Sequence, residues 1–404
     1  MSTTVATAST TAAPALARRT AGFAPSFWAG LEKLFGRHPD MIFFGGGTPA
    51  RELIPVERLR AAAARAWEDA PGALDYGEVA GYRPLRELIA TRMALQGMTV
   101  DPDHLLVTNG SQQGIDLVAR LLLDPGDAVV VEAPTFLGAF QTFAAYEATY
   151  LPVPLDDDGL QIDALERVLA KAPRPPKLLY TIPTFQNPSG VTLSRPRREA
   201  LLAVARAHNL VVVEDDPYGE LRYGGESVPP LRALDPGVLY LGTFSKTIAP
   251  GLRVGWVAAP DSLVPLLHSA KEGVDIHNER ITARTVFHAA SGGFLDDHLT
   301  RARAVYRDRR DVLLAALRDQ MPAGVRWSEP EGGFFVWVTL PEGQDAAAIL
   351  PRAAERGVTF LPGAWFSPPT ATPDPRTLRL NFSTLPEERI VEGVRRFGEV
   401  LGEG

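Results

Sequence analysis

The stretch Val238-Leu-Tyr-Leu-Gly-Thr-Phe-Ser-Lys246 is an apolar run that ends beside a lysine. Four similar runs lie upstream, separated by segments with helical periodicity: 105–108, 128–132, 177–182 and 210–214. Runs that are apolar throughout, rather than at alternate positions, are typical of strands covered on both faces of a sheet. Strands that alternate with helices form mostly parallel crossover units. The sequence therefore predicts an α/β fold, with a three-layer α/β/α large domain around a mostly parallel sheet.

Beyond about residue 295 the pattern changes. A long helical stretch at 299–321 precedes two apolar strand patterns, 333–339 and 377–384, and each of these is followed by a helical segment. This order is typical of a smaller α+β domain, and a chain of 404 residues is long enough to form two domains. The predicted division is a disordered tail at 1–20, a small domain with an N-terminal arm at 21–58 and 298–404, and the large domain at 59–297.

The composition limits the classes of function. The chain has a formal net charge of −7, a pI near 5.6 and no cysteine. Its acidity argues against nucleic acid or a membrane as the main partner, and the absence of cysteine excludes disulfides, thiolate metal sites and thiol nucleophiles. The sequence shows no signal-peptide pattern and no apolar run of about 18 residues. We therefore expect a cytoplasmic protein that acts on small molecules without a metal.

Lys246 is the first candidate for chemistry. Only five of the 41 basic residues are lysine, and this one follows a strand pattern, between Ser245 and an arginine seven residues on, Arg253. A lysine that is partly desolvated can lose its proton and attack an aldehyde, which arginine cannot do. Ser245 and Arg253 would then flank a dianionic phosphate. The alternative is a solvated lysine beside the Pro-Gly turn at 250–251.

An acidic pair ends the preceding strand pattern, in Val211-Val-Val-Glu-Asp-Asp-Pro-Tyr218. A carboxylate at a buried strand end is costly unless it is paired. A protonated pyridine nitrogen would be such a partner, and the pairing would keep the ring electron-withdrawing. Tyr218 would donate to the phenolic oxygen of the ring. A metal site or a helix-capping pair is the alternative, and the strand pattern leaves open whether Asp215 or Asp216 points inward.

Two turns supply weaker candidates. In Thr108-Asn-Gly-Ser-Gln-Gln-Gly114, free backbone N–H groups at a helix start would bind an anion, with added donors from Ser111 and Gln112 and close approach at Gly110. Capping explains Ser111 equally well. In Pro183-Thr-Phe-Gln-Asn-Pro-Ser-Gly190, Asn187 would bond the same phenolic oxygen as Tyr218, or would only form an Asn-Pro turn.

Two further residues stand in apolar surroundings. Phe136 would stack on a cofactor ring or would be part of the core. Arg379 lies inside the strand pattern Thr377-Leu-Arg-Leu-Asn-Phe-Ser383, where a buried guanidinium needs an anion. The carboxylate of a substrate would supply this anion, and an internal salt bridge is the alternative.

Together these segments resemble the class I/II aminotransferases of fold type I, which use pyridoxal 5′-phosphate. The resemblance runs from about Phe43 to the C-terminus, and its motifs occur in the order of the family. The motifs are Phe44-Gly-Gly-Gly-Thr-Pro49, Tyr76-Gly-Glu-Val-Ala-Gly81, Asn109-Gly-Ser-Gln-Gln113, Asn187-Pro-Ser-Gly190, Asp215-Asp-Pro-Tyr218 and Ser245-Lys-Thr-Ile-Ala-Pro-Gly-Leu-Arg253. The sequences of these motifs are most similar to those of the branch that contains 2-aminoadipate (LysN-like) and kynurenine aminotransferases.

The resemblance implies a role for each matching residue. Lys246 would bind the cofactor as a Schiff base and move the proton, Asp215 would pair with the pyridine nitrogen, and Phe136 would stack on the ring. Tyr218 and Asn187 would hold the phenolic oxygen. The residues expected around the phosphate are Gly110, Ser111, Gln112, Ser245 and Arg253.

The resemblance also implies a homodimer with shared sites, in which Tyr76 reaches the phosphate of the neighbouring subunit. Arg379 would hold the substrate carboxylate, beside the backbone of Gly46 and Gly47. The segment 23–37, which shapes side-chain specificity in relatives, shows no match here. The substrate therefore stays open.

The expected function is transfer of an amino group from an L-amino acid to a 2-oxo acid, with 2-oxoglutarate as the expected acceptor and a ping-pong mechanism. Another reaction with the same cofactor is the main alternative: cyclisation, elimination, decarboxylation or oxidation. The motifs set the cofactor and not the bond that breaks. A regulator of the MocR type is disfavoured because only about 40 residues, without a basic recognition helix, precede Phe43. A cofactor-free structural protein is the third alternative.

Overall fold

The computed structural model describes residues 15–23, 38–68 and 70–403. Most of the predicted tail and of the segment 23–37 lies outside the described residues. The part of the tail that is described includes a short 3-10 helix, Arg18–Gly22.

The strands are, in chain order, β1 (Ile42–Phe43), β2 (Leu105–Thr108), β3 (Ala128–Ala133), β4 (Thr149–Asp156), β5 (Gly159–Leu160), β6 (Leu178–Thr181), β7 (Val211–Asp215), β8 (Leu239–Thr243), β9 (Gly255–Ala258), β10 (Arg326–Trp327), β11 (Phe335–Thr339), β12 (Val358–Thr359), β13 (Leu361–Pro362) and β14 (Thr377–Asn381). The α-helices are α1 (Val56–Glu68), α2 (Ala70–Leu74), α3 (Arg83–Leu95), α4 (Ser111–Leu122), α5 (Leu137–Ala145), α6 (Ile162–Lys171), α7 (Arg195–Ala207), α8 (Leu231–Leu234), α9 (Val264–Asp275), α10 (Arg280–Ala290), α11 (Phe294–Gln320), α12 (Ala346–Glu355) and α13 (Glu387–Gly402).

The central sheet has the strand order β2-β9-β8-β7-β6-β3-β4-β5. The pairs in its middle, from β8 through β7, β6 and β3 to β4, are parallel. β9 runs antiparallel to both β2 and β8, and β5 antiparallel to β4. The sheet is therefore mostly parallel, as predicted, although the sequence patterns did not indicate β4 or β9.

Side chains of the inner strands alternate between two apolar layers. Val131 and Tyr180 pack in one buried cluster, whereas their neighbours Val130 and Leu179 pack in another. All four are fully buried. A sheet that is buried on both faces needs apolar residues at every position, which is why these strands read as continuous apolar runs. The three-layer α/β/α arrangement is thereby confirmed.

A second sheet, with the order β10-β11-β14-β13, is antiparallel and lies in the C-terminal part of the chain. β1 pairs with β12 in parallel, which brings the Phe44–Pro49 turn to the same region. Strand β14 ends at Asn381, before the predicted end at residue 384. Helix α11 begins five residues before the predicted start, after Gly293 at φ +78°, and its first turn carries two acidic residues that favour a helix N-terminus.

Within the ranges that the structure covers, no helix has the length and apolarity that crossing a membrane requires.

Candidate active site

The carboxyl ends of β7 and β8 open onto a cavity of about 610 Å³, which we call the central cavity. Parallel sheets place ligands at this edge, and the volume is within the range of small-molecule sites. Among the described residues, the charged side chains that line the cavity are those of Lys246, Asp215, Arg253 and Arg379. These four were predicted from segments that are far apart in the sequence, and the fold brings them together.

Lys246 projects into the central cavity from the turn after β8. Its Nζ donates to the carbonyl oxygen of Gly47 at 2.7 Å. Burial, and after it the nearby Arg379 and Arg253, lower the pKa of this amine against the opposing effect of Asp215, and the net result is a pKa of about 8. The solvated alternative is therefore wrong, and a substantial fraction of the amine is neutral near pH 8.

Asp215 is the last residue of β7 and lines the central cavity. Its Oδ2 accepts a hydrogen bond from the hydroxyl of Tyr180 at 2.6 Å, whereas its buried Oδ1 has no hydrogen-bond partner among the described residues. Asp216 turns away, since it accepts from the backbone N–H of Gly219 at 2.7 Å and from the hydroxyl of Tyr240 at 3.0 Å. The structure thus settles which acid faces inward. Burial raises the pKa of Asp215 to about 7.

Arg379 is buried in β14 and has no internal salt bridge to any carboxylate in the described part of the chain. Its Nη1 donates to Oδ1 of Asn187 at 2.7 Å, and its Nη2 donates to the carbonyls of Gly45 and Gly46 at 2.8 and 3.0 Å. Its Nε has no hydrogen-bond partner within the part of the chain that the structure describes. The guanidinium lies 4.0 Å from the centre of the Phe335 ring. A buried cation that meets only neutral groups is a binding site for an anion.

Asn187 and Tyr218 also line the central cavity. Because Oδ1 of Asn187 accepts from Arg379, its Nδ2 is the group left to donate to a ligand. Tyr218 is 2% exposed, and its ring packs edge-on against Phe334 and Phe335. Burial raises the pKa of Tyr218, so its hydroxyl stays protonated and remains a donor.

The start of α4 forms the other end of the cavity. Gly110 precedes the helix with φ +76°, and a Cβ at this position would lie 2.2 Å from Nη2 of Arg253. Ser111 is the first helical residue rather than the cap. The side-chain amide of Gln112 donates to the carbonyl of Gly138 at 2.8 Å and to Thr142 at 2.5 Å. Its contribution to an anion would therefore come from its backbone N–H.

Three predicted residues remain. Phe136 is half-buried just before α5 and lines the cavity. Ser245 lies beside Arg253, whose Nη1 is 3.4 Å from its hydroxyl. Tyr76 is 77% exposed and does not line the cavity of its own chain. Of the predicted backbone pair, Gly46 contacts Arg379 and Gly47 contacts Lys246.

Comparison with known proteins decides the family. The family model for aminotransferase class I and II matches residues 39–397. The chain belongs to this family. The aminotransferase is 43% identical to aromatic-amino-acid aminotransferase 1 of Thermococcus litoralis, over 90% of this chain and 88% of the relative. It is 41% identical to the 2-aminoadipate transaminase of Thermus thermophilus, over 90% and 91%. The crystal structure of Pyrococcus horikoshii kynurenine aminotransferase superposes with a TM-score of 0.91 at 40% identity, and the match covers 96% of this chain and 97% of the other.

Pyridoxal 5′-phosphate is the cofactor of this aminotransferase, and the central cavity fits it at three points. A depressed lysine pKa suits covalent attachment at Lys246. The unpartnered Oδ1 of Asp215 suits a protonated ring nitrogen. The helix start at Ser111 with the adjacent Arg253 suits a phosphate. Amino acids and 2-oxo acids are the substrates of the enzyme.

Sequence reasoning missed Tyr180 and the aromatic rings around Arg379. A signal for Tyr180 existed, because a tyrosine in a fully buried strand needs a partner for its hydroxyl. Phe335 lies in the predicted strand 333–339 and gave no sign of a role beyond the core. Its contact with Arg379 depends on the pairing of β11 with β14.

Proposed function

We propose that the aminotransferase works in two stages, with 2-oxoglutarate as the amino-group acceptor and an L-amino acid with a large apolar or aromatic side chain as the donor. The proposal rests on one observation: the same cavity is lined by Lys246, Asp215 and Arg379. When bound, the cofactor supplies an electron sink for the charge that develops at the substrate α-carbon.

Each residue of the cavity then has a task. Arg379 binds the α-carboxylate of the donor and so orients its α-carbon. Lys246, once released from the cofactor, takes the α-proton as a general base with its Nζ, and returns it later in the stage. Asp215 keeps the ring nitrogen protonated. Tyr218 and the Nδ2 of Asn187 hold the phenolic oxygen.

The remaining assignments concern the two ends of the cofactor. Gly110, Ser111, Gln112, Ser245 and Arg253 bind its phosphate, and Phe136 stacks on its ring. Two chains form a homodimer, in which Tyr76 of one subunit completes the phosphate site of the other. We also propose the division into a small domain, 21–58 and 298–404, and a large domain, 59–297, and a location in the cytoplasm.

The walls of the cavity support the proposed donor class. Apolar side chains that line the cavity include Leu137, Leu361 and Phe366. Leu361 pairs with Arg379 between β13 and β14, and the Arg379 guanidinium lies 4.8 Å from the centre of the Phe366 ring. Every charged residue that lines the cavity within the described ranges already has a task in the reaction, so none is left for an acidic side chain. The 43% identical relative is named for aromatic amino acids.

A donor panel tests the proposal. The cofactor-loaded enzyme is mixed with single amino acids, and the loss of the absorbance of the lysine-bound cofactor is followed without an acceptor. Phenylalanine, tyrosine and leucine are expected to react faster than aspartate, glutamate and 2-aminoadipate. Glutamate should then appear when 2-oxoglutarate is added, whereas products of decarboxylation or elimination would overturn the assignment to amino transfer.

Replacement of the lysine is the matching mutational test. Lys246→Ala is expected to abolish both amino transfer and the absorbance of lysine-bound cofactor. Lys171→Ala, at the exposed end of α6, is the control and should change neither. Full turnover by Lys246→Ala would contradict the assignment.

A further inference from the structure

The two oxygens of Asp215 have different surroundings. Oδ2 accepts from the Tyr180 hydroxyl at 2.6 Å, and Oδ1, on the carboxylate that lines the central cavity, has no hydrogen-bond partner in the described structure. A carboxylate with one oxygen bonded cannot rotate freely about its last side-chain bond without losing that bond. Its free oxygen therefore has a fixed direction.

Tyr180 is built into the sheet. It lies in β6 opposite Val213 of β7, and Asp215 follows Val213 by two positions, so the two side chains emerge on the same face. Tyr180 is fully buried, and its ring packs edge-on against Phe143 at 5.8 Å. Its hydroxyl is thus held in place from behind the carboxylate.

We propose that Tyr180 is a positioning residue of the reaction, which directs Oδ1 of Asp215 at the ring nitrogen of the cofactor and keeps the carboxylate ionised. The inference rests on the proposed pairing of Asp215 with the cofactor.

The charges around Asp215 show why such support is needed. Burial raises the pKa of Asp215 most, and the neighbouring Asp216 and Glu132 raise it further, while the Tyr180 hydrogen bond and Lys246 lower it. The pKa of Tyr180 is itself raised far above its usual value by burial, so the hydroxyl remains a donor over the working range. Without this bond, the pKa of the Asp215 carboxylate would rise further, so the carboxylate would hold a proton more readily and would leave less positive charge on the ring nitrogen.

The next acid along the chain offers a matched control. Asp216 accepts from the buried hydroxyl of Tyr240 at 3.0 Å, in the neighbouring strand β8. Asp216 does not line the central cavity, and it also accepts from the backbone of Gly219. Tyr240→Phe therefore removes the same kind of buried hydrogen bond, one residue away, without touching the cofactor site.

The experiment compares Tyr180→Phe with Tyr240→Phe in the cofactor-loaded enzyme. Tyr180→Phe is expected to weaken cofactor affinity by about tenfold, the usual effect of a lost hydrogen bond to a charged group. The pH at which the absorbance of the bound cofactor changes should move upward, because a ring with less positive charge repels a second proton less. The maximal rate of the donor half-reaction should fall, while the donor concentration that gives half of this rate should change little. Tyr240→Phe should leave all three near the wild-type values.

A double-mutant comparison separates this inference from the proposed pairing. Asp215→Asn alone tests the pairing: wild-type affinity and spectrum would overturn it, and the inference with it. If Asp215→Asn is impaired, adding Tyr180→Phe to it should cost little more, because Tyr180 acts through the carboxylate. A full additional loss in that background, or equal effects of Tyr180→Phe and Tyr240→Phe, would show that Tyr180 is only structural.

Discussion

The surroundings of Lys246 make its amine easier to deprotonate than that of an ordinary lysine, and this affects cofactor uptake. Its pKa is lowered to about 8, chiefly by burial. The neutral amine is the nucleophile, so covalent incorporation of pyridoxal 5′-phosphate into the cofactor-free protein should speed up about tenfold per pH unit below about 8 and level off above it. Stopped-flow absorbance between pH 6 and 10 measures this rate.

The reaction of the free cofactor with a model amine, in the absence of protein, is the control for this pH dependence. Free pyridoxal 5′-phosphate with a model amine such as Nα-acetyl-lysine should keep rising to about pH 10, since an unperturbed lysine has a pKa near 10.4. A protein rate that also rises up to pH 10 would contradict the shifted pKa of Lys246.

Asp215 carries a cost in the cofactor-free protein. Its pKa is raised to about 7 by burial, so between about pH 4 and 7 the folded state binds more protons than the unfolded state. The stability that this group contributes is therefore fully present below about pH 4 and is lost progressively as the pH rises to about 7, by up to about 4 kcal/mol in total. Asp215→Asn removes the titration but keeps an oxygen for Tyr180.

Thermal unfolding of the cofactor-free proteins tests this cost. Asp215→Asn is expected to unfold at a higher temperature than the wild type at pH 8, and at a temperature that is higher by a smaller margin at pH 5. A difference that is the same at both pH values would mean that the carboxylate is not penalised by burial. Cofactor should reverse the order at pH 8, because the proposed pairing with the ring nitrogen needs the carboxylate.

At the level of elements, the turn before α4 is held from behind by α9. Lys271 of α9 is fully buried, and its Nζ donates to Oε1 of Gln113 at 2.8 Å and pairs with Asp275 at 2.7 Å. Gln113 in turn accepts from the backbone N–H of Asn109, and Asp275 accepts from the Nδ2 of Asn109 at 2.6 Å. The residue just before Gly110 is thus fixed by a network on the far side of the helix start.

Lys271→Met should therefore affect both stability and the phosphate site. The loss of two buried charge-assisted bonds is expected to lower the free energy of unfolding by about 1–3 kcal/mol. Affinity should fall for pyridoxal 5′-phosphate and stay unchanged for pyridoxal, which lacks the phosphate. Urea unfolding and a cofactor titration measure the two effects. Lys171→Met, at an exposed position, is the control. If Lys271→Met changes the free energy of unfolding by less than about 0.5 kcal/mol, as an ordinary surface substitution does, the prediction is wrong.

The strands that the sequence predicted are the ones with the strongest physical signature. Strands β6, β7 and β8 are buried on both faces, and such burial requires the continuous apolar runs that are visible in the sequence. β9 was not recognised, because Gly255–Ala258 comes almost directly after the lysine motif, which had been interpreted as a turn that ends at Arg253.

At the scale of the whole molecule, the sequence could name the residues of the cavity but not their contacts. Asp215 and Asp216 were indistinguishable until the partners on β6 and β8 were known. Lys271 could not be read as a buried lysine, because Gln113 lies 158 residues away. Pairings between distant segments follow from the packed fold, and local patterns carry no information about them.

The position of Tyr76 bears on how two chains would share their sites. The side chain is 77% exposed, yet the backbone around it is fixed: Nη1 of Arg280 donates to the carbonyls of Asp75 and Tyr76 at 2.7 and 3.0 Å. The Tyr76 ring also packs edge-on against His277. An exposed tyrosine on a fixed segment, away from the cavity of its own chain, is what a site completed by a second subunit requires.

Subunit mixing tests this directly. Lys246→Ala is expected to be inactive. Tyr76→Phe should lose about tenfold or more in cofactor affinity and so be impaired at limiting cofactor. If Tyr76 acts across the interface, a heterodimer of the two variants holds one site with both changes and one site with neither. Random mixing by joint unfolding and refolding should then restore activity to about a quarter of the wild-type sites, because half of the dimers are mixed. Refolding each variant alone is the control. If Tyr76 acts within its own chain, each site keeps one change, and mixing restores nothing.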